Sequence, residues 1–384
     1  MKNIRKVPVN IPVLNGNEKK YLLDCIETGW ISSSGHYIEK FEQEIAKYVG
    51  VKHAISVCNG TAALEAAVLG LNLPVGSEVI MPDFTIISCA QSITKAGLKP
   101  VYIDCKLETW NMDEDKIEKK INSNTKAIMV VHLYGIPCNM KPIIKLASKY
   151  NLKIIEDAAE AHGLTCYGKQ CASFGDVSIF SFFPNKHITT GEGGMVMTND
   201  DTVADRVKKI RNLFFDLERR YIHEEIGSNF RMTNMQAAVG LAQIEHIEWT
   251  LKRKREIGSF YQEKLRCLED KVILPLKNTD YADNIYWVFG LVLKDEKISA
   301  DFVMAKLKEL GVETRHFFYP MHLQPCLVKL GFADGMHSDE YKNSEFISSH
   351  GFYIPSGVGL TIEDQEYVVD CLKQIFGDLD EKTN

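Results

Sequence analysis

Short apolar runs alternate with longer amphipathic stretches along the first two thirds of the chain. The runs lie at Glu78 to Met81, Pro100 to Asp104, Ala127 to Leu133, Lys153 to Glu156 and Val177 to Phe183. Their nearly continuous apolar character predicts strands buried on both faces, and the stretches between them have helical spacing. Such alternation predicts an α/β fold: a large domain with a mostly parallel sheet flanked by helices. A helix-rich stretch follows from Met232 to about Leu268. Strand-like Tyr286 to Leu293 and Val312 to Phe317, with helical Ile362 to Phe376, then predict a smaller C-terminal α+β domain. The expected division is residues 1–248 for the large domain, with a substrate-side segment at its N-terminus, and 249–384 for the small one.

Open α/β sheets gather ligands at the carboxyl ends of their strands. Two chemically suggestive residues fall at such ends. Lys186 follows the run Val177 to Phe183 and precedes a turn containing Gly191, Gly193 and Gly194. A lysine at a strand edge against a glycine-rich turn is partly desolvated, which lowers its pKa and frees its amine to attack a carbonyl. Lysines that form imines with pyridoxal phosphate need this setting, although an exposed surface lysine is the plain alternative. Asp157 ends the run Lys153 to Glu156. Pyridoxal phosphate acts as an electron sink only while its pyridine nitrogen is protonated, so a carboxylate must face that nitrogen. Asp157 is the candidate, with a helix cap as its alternative. Glu160 is placed to reach the cofactor's phenolic oxygen or the substrate amine, and His162 to lie beside the ring.

A third feature is the apolar strand at His53 that leads through Asn59, Gly60 and Thr61 into an alanine-rich helix. Amides at a helix start bind phosphate readily, and Gly60 leaves the approach open. Ser181 can add a hydroxyl to the same phosphate. The chain carries neither a P-loop signature nor a G-x-G-x-x-G after a strand, so the phosphate site is of another kind.

Composition narrows the class. With 384 residues, 45% hydrophobic and 25% charged, the chain can bury one large core and a smaller one. A formal charge of −6 argues against nucleic-acid binding. The basic run Leu251 to Glu256 reads as the solvated face of a helix. Ten cysteines are scattered without a C-x-x-C pair or zinc spacing, as expected of reduced thiols in a cytoplasmic protein without a metal. No apolar run approaches the ~18 residues of a membrane span.

Six segments together resemble a known family. They are Thr28 to Glu42, Asn59 to Leu64, Glu156 to Gly163, Ser181 to Met195, Gly227 to Gln243 and Tyr319 to Pro325. These segments are similar to the DegT/DnrJ/EryC1/StrS sugar aminotransferases, which use pyridoxal phosphate on the aspartate aminotransferase fold (fold type I). The likeness runs from about Asn10 to Leu372. EDAAEA and NKHITTGEGGM are most similar to the perosamine-forming branch, which makes 4-amino sugars from nucleotide-linked 4-keto-6-deoxyhexoses.

The resemblance implies that Lys186 bonds the cofactor, that Asp157 pairs with its pyridine nitrogen, and that Gly60, Thr61 and Ser181 hold its phosphate. Asn229 matches a residue that reaches the phosphate of the neighbouring subunit's cofactor, with Arg231 in support, which implies a homodimer with shared sites. L-Glutamate is the implied amino donor. GDP-4-keto-6-deoxymannose is the first choice of acceptor, ahead of a UDP- or dTDP-linked 4-keto sugar or an eight-carbon keto-sugar acid. Trp30, Arg315, Tyr319 and His322 offer aromatic and cationic groups suited to a sugar and a diphosphate. Two segments depart from the pattern. Ile86 follows Pro82, Asp83, Phe84 and Thr85 where relatives carry an aromatic residue that stacks on the cofactor ring, and RNLFFDLERR (Arg211 to Arg220) differs from the glycine-rich version near the sugar nucleotide. A sugar 3-dehydratase of the same fold uses histidine in place of the lysine, and His187 next to Lys186 keeps that reading open.

Overall fold

The apolar runs assemble into a seven-stranded sheet in the computed structural model, which describes residues 5–216, 219 and 221–383. Across the sheet the strands are ordered His53–Val57, Gly194–Thr198, Val177–Ser181, Lys153–Asp157, Thr125–Val131, Glu78–Pro82 and Lys99–Ile103. Only Gly194–Thr198 runs against the others. That strand was not anticipated, because its start lies in the glycine-rich segment read as a turn. The other strands agree with the expected runs to within a few residues.

Both faces of the sheet are covered, which is why its strands are apolar throughout. On one face, helices Gly60–Gly70, Ile87–Lys95 and Asp201–Arg211 pack Ala63, Ala67, Ile93 and Val207 into one core with Val79, Met129 and Ile155. On the other, His36–Val49, Met140–Tyr150 and Asn234–Ile244 contribute Phe41, Ile143 and Ala238 to a second core.

A four-stranded antiparallel sheet follows, ordered Val272–Ile273, Phe289–Leu293, Gly351–Ile354 and Arg315–His316. It is shorter than the expected runs. Tyr286 takes a left-handed φ of 49°, which keeps Tyr286 to Val288 out of the strand, and Val312 forms only an isolated bridge to Val7. Helix Ile247–Lys264 links the two parts. Its Ile247 and Leu251 belong to the core under the large sheet, whereas Ile257 and Tyr261 belong to a third core with Phe289, Leu372 and Val7. Helix Ile362–Thr383 closes that third core.

Candidate active site

The site forms where the start of helix Gly60–Gly70 meets the ends of three strands. Asn59 caps the helix, its side-chain oxygen accepting from the Ala62 amide at 2.8 Å. The Gly60 and Thr61 amides precede the first intrahelical hydrogen bond and line the pocket. A Cβ at Gly60 would lie 2.7 Å from the Ser181 Cβ, so only glycine lets the helix start rest on that strand end. The Thr61 and Ser88 hydroxyls are 2.9 Å apart beside it.

Asp157 ends its strand in the pocket lining with 1% exposure. One carboxylate oxygen accepts from the Ala159 amide at 3.0 Å and the other from the Cys89 thiol at 3.2 Å. Burial pushes its pKa up, opposed by those two donors and by Lys186. A buried carboxylate in that condition is stabilised by a cationic N–H group brought into the pocket.

Lys186 sits in a turn whose amide bonds back to Phe183 at 2.9 Å, and the Trp287 indole N–H donates to the Asn185 carbonyl at 3.0 Å. The Lys186 Nζ lies 3.7 Å from Glu160 Oε1 and 3.9 Å from the centre of the Trp287 ring. Burial lowers the lysine pKa and raises that of Glu160; each charge partly offsets the other's shift. Glu160 is fixed by the Tyr134 amide at 3.0 Å. Lys186, not its neighbour, faces the pocket. His187 is turned away, its Nδ1 against the His162 carbonyl at 3.1 Å, and burial pushes its pKa down to about 3.

The pocket holds about 680 Å³. It brings together Gly60, Thr61, Asp157, Glu160, Ser181 and Lys186, all six anticipated from sequence. Others went unanticipated: Ser88 and Gln91 on helix Ile87–Lys95, and Tyr134, Trp287, Phe318 and Tyr353. The two on the helix lie within a few residues of Thr85 and were findable by helical spacing; the aromatics come from distant segments without a shared motif. Ile86 also lines the pocket, so an aliphatic side chain stands where an aromatic stacker was sought.

None of the six expected substrate contacts, Trp30, His162, Arg231, Arg315, Tyr319 and His322, lines this pocket. His322 is buried, Nδ1 against Asp83 at 2.8 Å and Nε2 against Glu345 at 3.2 Å, so both ring nitrogens are engaged. His162 lies behind the strand, edge-on to Phe180, with Nδ1 accepting from the Ile188 amide at 3.2 Å. Burial holds its ring neutral. Trp30 and Tyr319 are exposed outside the lining. Arg315 borders a side cavity instead. Asn229 is exposed, and Arg231 donates to Asn212 at 2.8 Å beside a separate basic cavity. Within RNLFFDLERR, Leu217, Glu218 and Arg220 lie outside the described residues.

A buried lysine, a buried carboxylate and a helix-start anion cup around one pocket define a pyridoxal phosphate enzyme of the aminotransferase fold. The sequence profile of the DegT/DnrJ/EryC1/StrS aminotransferase family matches residues 12–373, and the chain belongs to that family. It is 42% identical to the GDP-perosamine synthase of Caulobacter vibrioides, covering 98% of this chain and 100% of that one. Its identity to the GDP-perosamine synthase of Escherichia coli O157:H7 is 39%, with the same coverage. Among solved structures, Helicobacter pylori PseC, an aminotransferase of pseudoaminic acid biosynthesis, superposes with a TM-score of 0.90 over 97% of this chain and 100% of that one. At 22% identity that likeness speaks to the fold.

Proposed function

We propose that this enzyme transfers the amino group of L-glutamate to the C4 ketone of GDP-4-keto-6-deoxymannose, giving GDP-perosamine for O-antigen or another surface glycan. The observation that carries the reading is full-length similarity near 40% identity to two GDP-perosamine synthases, joined to a desolvated Lys186 facing the pocket.

The residues fit the cofactor. The Gly60 and Thr61 amides with the Ser181 hydroxyl would hold its phosphate, and the thiol-anchored Asp157 carboxylate would keep its pyridine nitrogen protonated, with Ile86 lining the same pocket. When bound, pyridoxal phosphate supplies an electrophilic carbonyl carbon and an electron sink. Lys186, its ammonium disfavoured by burial, takes the proton from the donor's α-carbon and returns one to the sugar's C4. Glu160 accepts a hydrogen bond from the Tyr134 amide and holds the lysine as an ion pair at 3.7 Å, which limits the directions the amine can take. The aromatic wall of Tyr134, Trp287, Phe318 and Tyr353 excludes water from the reacting atoms. Asn229 and Arg231 extend to the phosphate bound by a second copy, making a cytoplasmic homodimer with shared sites.

The test is a panel of GDP-, UDP- and dTDP-linked 4-keto-6-deoxysugars with glutamate, read as 2-oxoglutarate release. The GDP sugar is expected to turn over fastest. Activity on a free keto acid with none on the nucleotide sugars would overturn the reading.

A further inference from the structure

Beside the main pocket lies a side cavity of about 180 Å³ that shares Phe183, Asn185, Trp287 and Tyr353 with it. Two cations, Arg315 and Lys254, line this cavity, and no aspartate or glutamate is among the described residues that line it. Arg315 sits across the ladder from Tyr353, and among the described residues its side chain donates only to the carbonyl of adjacent Thr314, from Nη1 at 3.0 Å. Lys254 is 4% exposed, and its ammonium meets only neutral oxygens: the Ser356 carbonyl at 2.5 Å and hydroxyl at 3.4 Å. Nearby His187 is held neutral by burial, so it adds no further positive charge. A buried ammonium without a carboxylate is costly to keep. Its pKa is accordingly pushed down by burial to about 7. An anion entering the cavity would relieve that penalty and gain a fork of donors from the guanidinium.

We propose that this cavity is the subsite for the distal carboxylate of the amino donor, so that Arg315 and Lys254 select a dicarboxylic amino acid over a monocarboxylic one. The inference rests on the aminotransferase reading above and names the donor side of that site. Size and position favour it. The cavity is too small for a nucleoside diphosphate, and it opens beside the Lys186 turn, where the donor's α-carbon must be placed. A short side chain running past Trp287 carries its terminal carboxylate between the two cations. Arg315, assigned from sequence to the diphosphate of the sugar nucleotide, thereby serves the other substrate.

Calorimetric titration of the pyridoxal phosphate-loaded enzyme with glutarate, a dicarboxylate that carries no amine, tests the site without turnover. Butyrate, with one carboxylate, is the control. Glutarate is expected to bind, and Arg315→Gln to weaken it at least about tenfold, the scale of a charge-assisted hydrogen bond, while butyrate is unaffected. Lys254→Met is expected to act the same way; Arg315, being exposed, keeps the test readable if that buried replacement fails to fold. With glutamate alone and no sugar, the amination half-reaction followed by cofactor absorbance should show a KM raised about tenfold or more in R315Q, with alanine's unchanged. Absence of glutarate binding, or equal losses for glutamate and alanine, would overturn the proposal. So would an R315Q variant that raises the KM of the nucleotide sugar and not of glutamate, since the cavity would then serve the diphosphate. Failure of the GDP sugar to turn over leaves these donor measurements intact, so the two readings fail separately.

Discussion

The two sides of the pocket are built differently. The floor, made by Asn59 to Thr61, Asp157, Ser181 and Lys186, comes from strand ends of the seven-stranded sheet, the turn after one of them and one helix start, each residue within a short continuous motif. The facing wall comes from Tyr353 and His316 in the small sheet, with Trp287 and Phe318 beside it. These residues share no local pattern. In the proposed mechanism the floor holds the groups that bond and move protons, whereas the wall holds groups that shape and dehydrate the space. Substitutions on the floor should therefore abolish chemistry, and substitutions on the wall should redistribute affinity and orientation.

The largest effect is expected at Lys186. Replacement by alanine should lower turnover by more than about a hundredfold, because general acid–base catalysis alone is worth ~10² to 10⁴. Pyridoxal phosphate should still be retained through the phosphate cup, measured by dialysis and phosphate-ester assay. Asp157→Asn comes next. Removing the charge opposite the pyridine nitrogen should reduce kcat by at least about tenfold, with a smaller loss of cofactor affinity. Equal kcat in D157N would reduce the carboxylate to a turn-capping role for the Ala159 amide.

A wall residue sharpens the contrast. Trp287→Leu removes both the face under the Lys186 ammonium and the N–H that secures the Asn185 carbonyl. A cation–π contact of ~0.5 to 2 kcal/mol corresponds to a few-fold up to about thirtyfold in rate. Trp287→Phe should recover part of that loss by restoring the aromatic face. If Leu and Phe variants are equally impaired, the indole N–H is the decisive contact. The smallest effect is expected at Glu160. Its negative charge supports the Lys186 ammonium, so Glu160→Gln should lower the lysine pKa further. The sign is checked by the pH dependence of Lys186 acylation in the cofactor-free protein: the reactive amine should appear at lower pH in E160Q than in the wild type.

Legibility followed the same division. Asp157 and Lys186 were readable because a buried strand announces its end in apolar run length, and a chemical residue at that end stands out. Gly60 was readable because an asparagine–glycine turn before an alanine-rich helix marks an open helix start. Strand Gly194–Thr198 was missed because glycine at its first position mimics a turn. The wall was missed for a different reason: Trp287 and Lys186 meet only through tertiary packing, which no spacing encodes. His322 was expected among the substrate contacts, and sequence does not reveal that Asp83 and Glu345 engage both its nitrogens.

The central claim is that the floor carries the chemistry through Lys186. Borohydride reduction of the pyridoxal phosphate-loaded enzyme, followed by proteolysis and mass spectrometry, reads this directly. The account predicts a reduced pyridoxyl-phosphate adduct on the peptide containing Lys186, lost when glutamate is added before reduction. An adduct on another lysine, Lys254 included, or none at all, would contradict it.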